Sequence, residues 1–338
     1  MLMKRALVLL AGPMLLTWGS YNLTVGRSMS APSRDEPTSQ VEYDISALRE
    51  NVDAGLLSPG ASKAQRDRQK QLAVSCDQRA KILCNKLDGP FNSICRPPFV
   101  LVGDLTTAEL DNVYRETIVP TSRALSLMYF DREPDEPICM VLFADERGYR
   151  DTAKRIDGRS VADYHGYYIR PDRRLMINAT TGAGTLAHEL THALAHFDFP
   201  TMPEWFDEGL ASLYEESDFT TDNLQLVGLS NWRLNYLVHA LHQRRLDSLE
   251  GLLGARRIRA EQQAIDYAQA RYLCLYLQQR ELLPLFYRKF RANAATDPSG
   301  LHTLREVFSV AALDDVDREF RNWIVDVYDK GRKTASRR

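Results

Sequence analysis

The segment Thr185–Leu194, TLAHELTHAL, decides how the rest of the chain is interpreted. It holds two histidines four residues apart, His188 and His192, with Glu189 beside the first. On a helix, residues four apart lie one turn apart on the same face, so both imidazoles can reach one zinc ion. Glu189 points in another direction and can reach water beside the metal. The spacing therefore predicts a Zn2+ site with its general base.

The alternative is an amphipathic helix whose histidines are satisfied in the core, and a third ligand would separate the two interpretations. His196 cannot share a zinc ion with His188, because eight residues of helix separate them by about 12 Å, whereas ligands of one zinc lie a few Å apart. We expect His196 at the surface or in a subsite. Glu208 is better placed, because it lies sixteen residues after His192, beyond a proline-bearing turn that can fold one helix against the next.

The helix predicted around Glu208 has an apolar stripe, and its Gly209 would permit close packing against the histidine helix. The other acids nearby fit solvated positions better than Glu208 does: Glu204, Asp207, Glu215 and Glu216. Asp207 and Ser212 could also orient a histidine. These features favour Glu208 as the third ligand.

Two segments together, AHELTHAL at 187–194 and PEWFDEGLASLYE at 203–215, resemble the gluzincin zinc metallopeptidases. The resemblance is closest to the peptidase MA-like domains and extends to enzymes of the aminopeptidase-N and thermolysin type. It implies that His188, His192 and Glu208 bind zinc and that Glu189 is the general base. The pattern covers roughly residues 97–285, but only these two segments are specific. The chain lacks the G-x-M-E-N segment that would hold a substrate amine, which favours an endopeptidase over an aminopeptidase.

The same resemblance makes Tyr267 a candidate for stabilising the transition state, because it follows Glu208 by 59 residues. A tyrosine packed on a helix face is the alternative for this residue. His165 and His239 are less specific candidates for the same role.

The hydrophobic pattern predicts an α+β fold with the histidine helix at the junction of its two halves, and the resemblance implies that this fold is zincin-like with the metal site on that helix. A small mixed sheet at 97–200 precedes a mainly helical half at 201–330. Four segments are predicted as strands: PFVLVGD, PICMVLFAD, YHGYYIR and RLMINAT. The last could pair with an extended peptide at the sheet edge or could be an internal strand. A capping box from Thr106 to Glu109 opens one helix, and Thr185 is expected to cap the histidine helix.

The N-terminal region predicts export. Lys4 and Arg5 precede a thirteen-residue apolar run, so residues 1–19 fit a signal peptide or an uncleaved anchor. Residues 20–65 fit a polar tether, and 66–96 a helical, cysteine-bearing segment; whether 20–96 acts as an inhibitory prosegment stays open. Residues 331–338 fit a frayed basic tail.

The five cysteines bear on the same question, since export means an oxidising compartment. Eight residues of helix would separate Cys76 from Cys84 by about 12 Å, too far for a disulfide between them. Either could pair with Cys95. Cys139 and Cys274 lie in apolar runs and are expected to be buried thiols.

The sequence therefore predicts an exported zinc-dependent peptidase, periplasmic or extracellular, acting on a peptide or protein. A membrane tether through the N-terminal segment stays an option. A net charge of −2 gives no indication of nucleic acid as a partner. A zinc-dependent amidase or esterase is one alternative, and a cell-envelope interaction protein with a structural or vestigial metal site is another. Glu189 argues against the second, because a structural site has no use for a base.

Overall fold

The computed structural model describes residues 62–87, 89–162 and 164–335, which all fall within one unit, Ile45–Arg338. The predicted signal or anchor and the tether up to residue 61 lie outside the described residues. Within these ranges, no helix combines the length and the apolar character needed to cross a bilayer.

A five-stranded mixed sheet forms the first half of the described chain. Its strands are β1 (Asn92–Arg96), β2 (Phe99–Gly103), β3 (Ile138–Phe143), β4 (Gly166–Ile169) and β5 (Arg174–Asn178). The spatial order is β1-β2-β3-β5-β4, with β2, β3 and β5 parallel and the two outer strands antiparallel to their neighbours. The RLMINAT segment is therefore the internal strand β5, and the suggestion that it could be an edge is wrong. The free edge on that side belongs to β4.

Helices surround the sheet and make up most of the second half. They are α1 (Lys63–Leu87), α2 (Thr107–Val113), α3 (Val119–Met128), α4 (Glu146–Asp157), α5 (Ala183–Asp198), α6 (Glu204–Leu213), α7 (Leu234–His242), α8 (Leu249–Ala255), α9 (Gln263–Gln279), α10 (Leu283–Asn293), α11 (Leu301–Phe308) and α12 (Asp314–Ala335). A π-helical turn, Tyr114–Ile118, joins α2 to α3. The α+β class and the small mixed sheet that the sequence predicted are confirmed.

Both faces of the sheet are buried, each in its own hydrophobic cluster. Successive strand residues alternate between the two faces. Val100 and Cys139 face α1 and α4 in one hydrophobic cluster. Leu101 and Met140 face the other way, into the larger cluster that includes α5 and the helical half. The histidine helix α5 therefore lies between the sheet and the helical half. Helix α1 covers the opposite face of the sheet.

Local signals in the sequence fix several helix ends. The capping box of Thr106 and Glu109 opens α2 as predicted, and both of its hydrogen bonds form. Helix α5, however, begins at Ala183 with Gly182 in the N-cap position, so Thr185 lies inside the first turn and is not the cap. Gly182 has a φ of 88°, a backbone conformation that glycine adopts without strain.

Three further predictions differ from the structure. The helical segment predicted at 66–96 ends at Leu87, and Cys95 lies on strand β1. A short hairpin, β6 (Ser217–Phe219) with β7 (Leu226–Gly228), lies in the half that was predicted to be mainly helical, where no strand was predicted. Helix α12 continues into the predicted basic tail as far as Ala335.

All five cysteines are free thiols, and Cys139 and Cys274 are buried as expected.

Candidate metal centre

Helices α5 and α6 bring the three predicted zinc ligands together. His188 Nε2 lies 3.0 Å from His192 Nε2. Glu208 Oε2 lies 3.7 Å from the first nitrogen and 3.6 Å from the second. Ligand atoms held at about 2.0–2.1 Å by a tetrahedral zinc ion lie about 3.3–3.4 Å apart. The three separations, 3.0, 3.6 and 3.7 Å, lie on either side of this value, so the donor atoms are close enough together to be ligands of one ion.

The other ring nitrogen of each histidine faces a carboxylate. His192 Nδ1 lies 2.7 Å from Asp207 Oδ1. His188 Nδ1 lies 3.2 Å from Glu215 Oε1, although this contact is not aligned as a hydrogen bond. Arg233 holds Glu215 through both carboxylate oxygens. A carboxylate beside Nδ1 favours the tautomer protonated there, which leaves a lone pair on each Nε2. One proton between the two Nε2 atoms gives their hydrogen bond of 3.0 Å, and a cation bound by both lone pairs would replace that proton.

Negative charge accumulates around the two imidazoles. Although burial opposes it, Asp207 and Glu208 raise the pKa of His192 well above its usual range. Burial also opposes the shift of Glu215, but His188 and Arg233 lower the pKa of this carboxyl to about 2. Buried carboxylates that stay ionised need positive charge close by. The imidazolium of His192 and the guanidinium of Arg233 meet this need, and a cation bound between the imidazoles would meet it as well.

Glu189 stands apart from the other carboxylates of the centre. It is only 7% exposed, and among the described residues no ion pair or hydrogen bond holds its carboxylate. Burial raises its pKa, against the influence of His188 and His192. Strand β4 passes directly beside it, since a Cβ on Gly166 would lie 3.3 Å from Glu189 Cγ and 2.7 Å from Thr185 Cγ2. Glu189 is thus an uncommitted carboxyl group at the edge of the donor cluster.

Tyr267 lies beside Glu208, where close packing of α6 on α9 places it. A Cβ on Gly209 would lie 2.8 Å from the Ala270 carbonyl oxygen and 3.1 Å from Cys274 Sγ, so this glycine lets the two helices meet. Gly209 was expected to serve the packing on the histidine helix, but its close neighbours are on α9. Burial, together with the charge of Glu208 and a hydrogen bond to it, raises the pKa of Tyr267. The phenol therefore stays protonated and can donate.

The remaining histidine candidates do not join the three donors. His165 and His239 are exposed. His196 was expected at the surface or in a subsite; its side chain is 11% exposed, so it is not a surface residue, and its Nε2 lies 2.9 Å from Asp207 Oδ2. With His192 and Asp207 it forms a second group of adjacent donor atoms. Among the described residues, no other histidine, cysteine or carboxylate joins the group of His188, His192 and Glu208 as a fourth ligand.

The residues that support the ligands were only partly visible in the sequence. Asp207 was considered as an orienting residue and has that position. Glu215 was assigned to solvent, but it reaches His188 and is 26% exposed. Ser212 donates to the backbone carbonyl of Glu208 rather than to a histidine. Arg233 was not singled out, because its link to Glu215 depends on the packing of α7.

A scan against protein-family models and a search of curated proteins both gave no match to this chain.

Gly184 controls the approach of Glu215 to the centre, and its replacement by alanine is a first prediction. An added Cβ would lie 2.2 Å from the Glu215 carbonyl oxygen, so the backbone there must move. We expect Gly184→Ala to lower the free energy of unfolding by about 1–3 kcal/mol, the range for overpacking. Displacing Glu215 from His188 should also weaken zinc binding by about 10–100-fold. Chemical unfolding and a chelator competition assay measure the two effects.

The matched control is Gly254→Ala on α8, where an added Cβ meets nothing within 4 Å. We expect it to be neutral or to raise the free energy of unfolding by up to about 1 kcal/mol, because alanine is the better helix former. Equal behaviour of the two variants would show that the close approach at Gly184 has no importance for the centre.

Proposed function

We propose that the protein is a zinc-dependent peptidase with a zincin-like fold of the gluzincin type, acting as an endopeptidase. One observation carries the proposal. The Nε2 atoms of His188 and His192 face each other at 3.0 Å with Glu208 beside them, next to the uncommitted carboxylate of Glu189. This arrangement supports both halves of the assignment, a metal centre and a base for hydrolysis.

The number of ligands supports a catalytic rather than a structural centre. Structural zinc sites are closed by four protein ligands, whereas catalytic sites have three and an open position. Among the described residues, three donors converge and no fourth is within reach. This supports an enzyme over the alternative of an interaction protein with a structural metal.

The chemistry divides between the metal and the side chains. Bound zinc would supply Lewis acidity, which polarises a carbonyl and lowers the pKa of water so that a nucleophile forms near neutral pH. Glu189 takes the proton from the attacking water and passes it to the leaving amine. Asp207 holds His192 in the required tautomer. The Tyr267 hydroxyl donates to the oxygen that becomes negative in the transition state.

Strand β4 supports a peptide as the substrate, in preference to a small ester or amide. It pairs with β5 on one side, and its other side forms the edge of the sheet. Unpaired backbone groups of an edge strand can bind an extended peptide. Gly166 of this strand lies beside Glu189, so a peptide paired there would pass the metal centre.

Export is part of the proposal and rests on the N-terminal sequence, with Lys4 and Arg5 before an apolar run. Sequencing the N-terminus of protein recovered outside the cytoplasm tests it. A chain found only in the cytoplasm would contradict it.

Peptide cleavage under metal control tests the proposed activity. The full chain is incubated with a complex peptide mixture in three states: loaded with zinc, after removal of zinc by a chelator, and after zinc is added back. New peptide termini are identified by mass spectrometry. We expect internal cuts that chelation abolishes and zinc restores. Cuts that persist without metal would indicate another protease, and a chain that binds no zinc would refute the metal centre itself.

Replacing Tyr267 by phenylalanine tests its role. If its hydroxyl stabilises the transition state, Tyr267→Phe lowers kcat by about 10²–10³-fold, with KM and zinc affinity unchanged. If it only orients Glu208, zinc affinity falls by about 10–100-fold and kcat recovers in excess zinc. Tyr164→Phe is the control, since Tyr164 is 55% exposed and close enough to influence the pKa of Tyr267. We expect the first result and an unaffected control.

A further inference from the structure

A surface pocket of about 380 Å³ lies beyond the candidate metal centre, where β4 ends. Tyr168, Arg170, Arg173, His196 and Phe197 are among the residues that line it. The pocket combines two guanidinium groups and a phenol, which are hydrogen-bond donors suited to an anion, with an imidazole and an aromatic face.

The positive charge of this pocket is only partly neutralised. Arg173 pairs with Glu136 at the rim, and its guanidinium lies 4.9 Å from the centre of the Phe197 ring. Arg170 donates to the backbone carbonyl of Pro200, and no carboxylate of the described residues pairs with it. A guanidinium offers five donors, so most of those of Arg170 remain for a ligand.

Two further groups line the pocket at the same place, and the Tyr168 hydroxyl is the donor among them. The Tyr168 ring lies 5.5 Å from the His196 ring. Burial raises the pKa of Tyr168 to about 12 in spite of the two nearby arginines, so its hydroxyl keeps its proton. His196 Nε2 is engaged by Asp207, but His196 Nδ1 is buried and has no hydrogen-bond partner among the described residues.

The pocket adjoins the path proposed for the substrate. Tyr168 belongs to β4, and Arg170 follows directly after that strand. Asp207 connects the two sites, because it contacts His196 on the pocket side and His192 on the metal side. A peptide could bind along the edge of β4 and pass Glu189. One of its residues, several positions away from the bond that is cut, would then lie in the pocket.

We infer that this pocket binds a carboxylate of the substrate, so that the enzyme selects peptides with an acidic side chain or a chain terminus at a fixed distance from the cleavage site. Arg170 is the residue that confers this selection. The assignment of the carboxylate to a peptide substrate rests on the proposed function, whereas anion binding by the pocket does not.

Small carboxylates test the inference by calorimetry on the zinc-loaded full chain. The probes are N-acetylglutamate amide, which carries only a side-chain carboxylate, N-acetylglutamine, which carries only a terminal one, and N-acetylglutamine amide, which carries neither. We expect at least one of the first two to bind about tenfold or more tightly than the third, as one charge-assisted contact provides. The stronger of the two identifies the source of the carboxylate.

The variant Arg170→Gln keeps a donor for the Pro200 carbonyl but removes the charge. We expect it to abolish the preference for the carboxylate probe. The control is Arg147→Gln on α4, whose parent side chain is 92% exposed and should not influence binding. Equal affinity for all three probes, or a preference that survives in Arg170→Gln, would overturn the inference. Tighter Arg170-dependent binding of inorganic phosphate would overturn the choice of a carboxylate.

Cleavage sites provide a separate readout. In the wild-type digest, we expect acidic residues or chain termini to be enriched at one distance from the cut, and Arg170→Gln should lose this enrichment while it still cleaves. Cleavage without enrichment, combined with no carboxylate binding, would refute the pocket and leave the peptidase standing. Carboxylate binding without any cleavage would refute the peptidase and leave the anion site standing.

Discussion

Replacing Glu189 by glutamine is expected to lower kcat by about 10²–10⁴-fold, the usual contribution of a general base. Glutamine matches glutamate in size, so it fits the space beside Gly166, but its amide cannot take a proton from water. Because Glu189 lies outside the group of His188, His192 and Glu208, the variant should bind zinc as tightly as the wild type. Steady-state kinetics on a peptide found in the digest, with zinc content measured on the same samples, tests this expectation.

The control is Glu216→Gln, which changes an exposed acid close to the centre without touching the donor group. We expect its kcat to stay within about twofold of the wild type, as for a surface substitution. Loss of zinc from Glu189→Gln would show that Glu189 is a ligand and not a base. Full activity in a zinc-loaded Glu189→Gln would assign the base to another residue.

How much of this centre the sequence could predict depends on how local each contact is. His188, Glu189 and His192 lie within one turn and a half of helix, so their spacing alone defines their relative directions. Glu208 is on another helix, and it was predicted from the resemblance of its segment together with the short turn that precedes α6. The capping box at Thr106 is equally local and was also predicted.

The supporting contacts could not be predicted in the same way. Glu215 was assigned to solvent together with the other acids of its segment, but Gly184 allows its backbone to approach the first turn of α5. Arg233, which holds Glu215, comes from just before a third helix. Contacts of this kind arise from tertiary packing, which leaves no local signature around either residue.

The position of a strand within the sheet is a similar case. Both YHGYYIR and RLMINAT have strand-like sequences, and the turn between them predicts a hairpin. Nothing in either segment says which strand also pairs with β3. The structure pairs β5 with β3 and leaves β4 at the edge, so the surface proposed for peptide binding moves by one strand. That change brings the edge next to Gly166 and Glu189.

Two overlapping groups of donors each have ligand atoms close enough together to hold one metal ion. Variants of His192 and His196 test which of the two groups binds zinc. His192 belongs to both groups, but His188 and Glu208 belong only to the first, and His196 and Asp207 only to the second. Whichever group holds zinc, His192→Gln should weaken zinc binding by more than about 100-fold, because the loss of even a supporting residue costs about 10–100-fold. Cleavage should disappear with the metal.

His196→Gln is the matched variant on the same helix. Its parent side chain also contacts Asp207, but Asp207 keeps its bond to His192 when His196 is replaced. We therefore expect zinc affinity to change by less than about tenfold and cleavage to persist, since His196 is one step further from the metal than the supporting residues. Zinc content by mass spectrometry and chelator competition give both values. Loss of zinc from His196→Gln with retention in Glu208→Gln would instead place the metal between His192, His196 and Asp207, away from Glu189, and the proposed hydrolysis would have no base beside its metal.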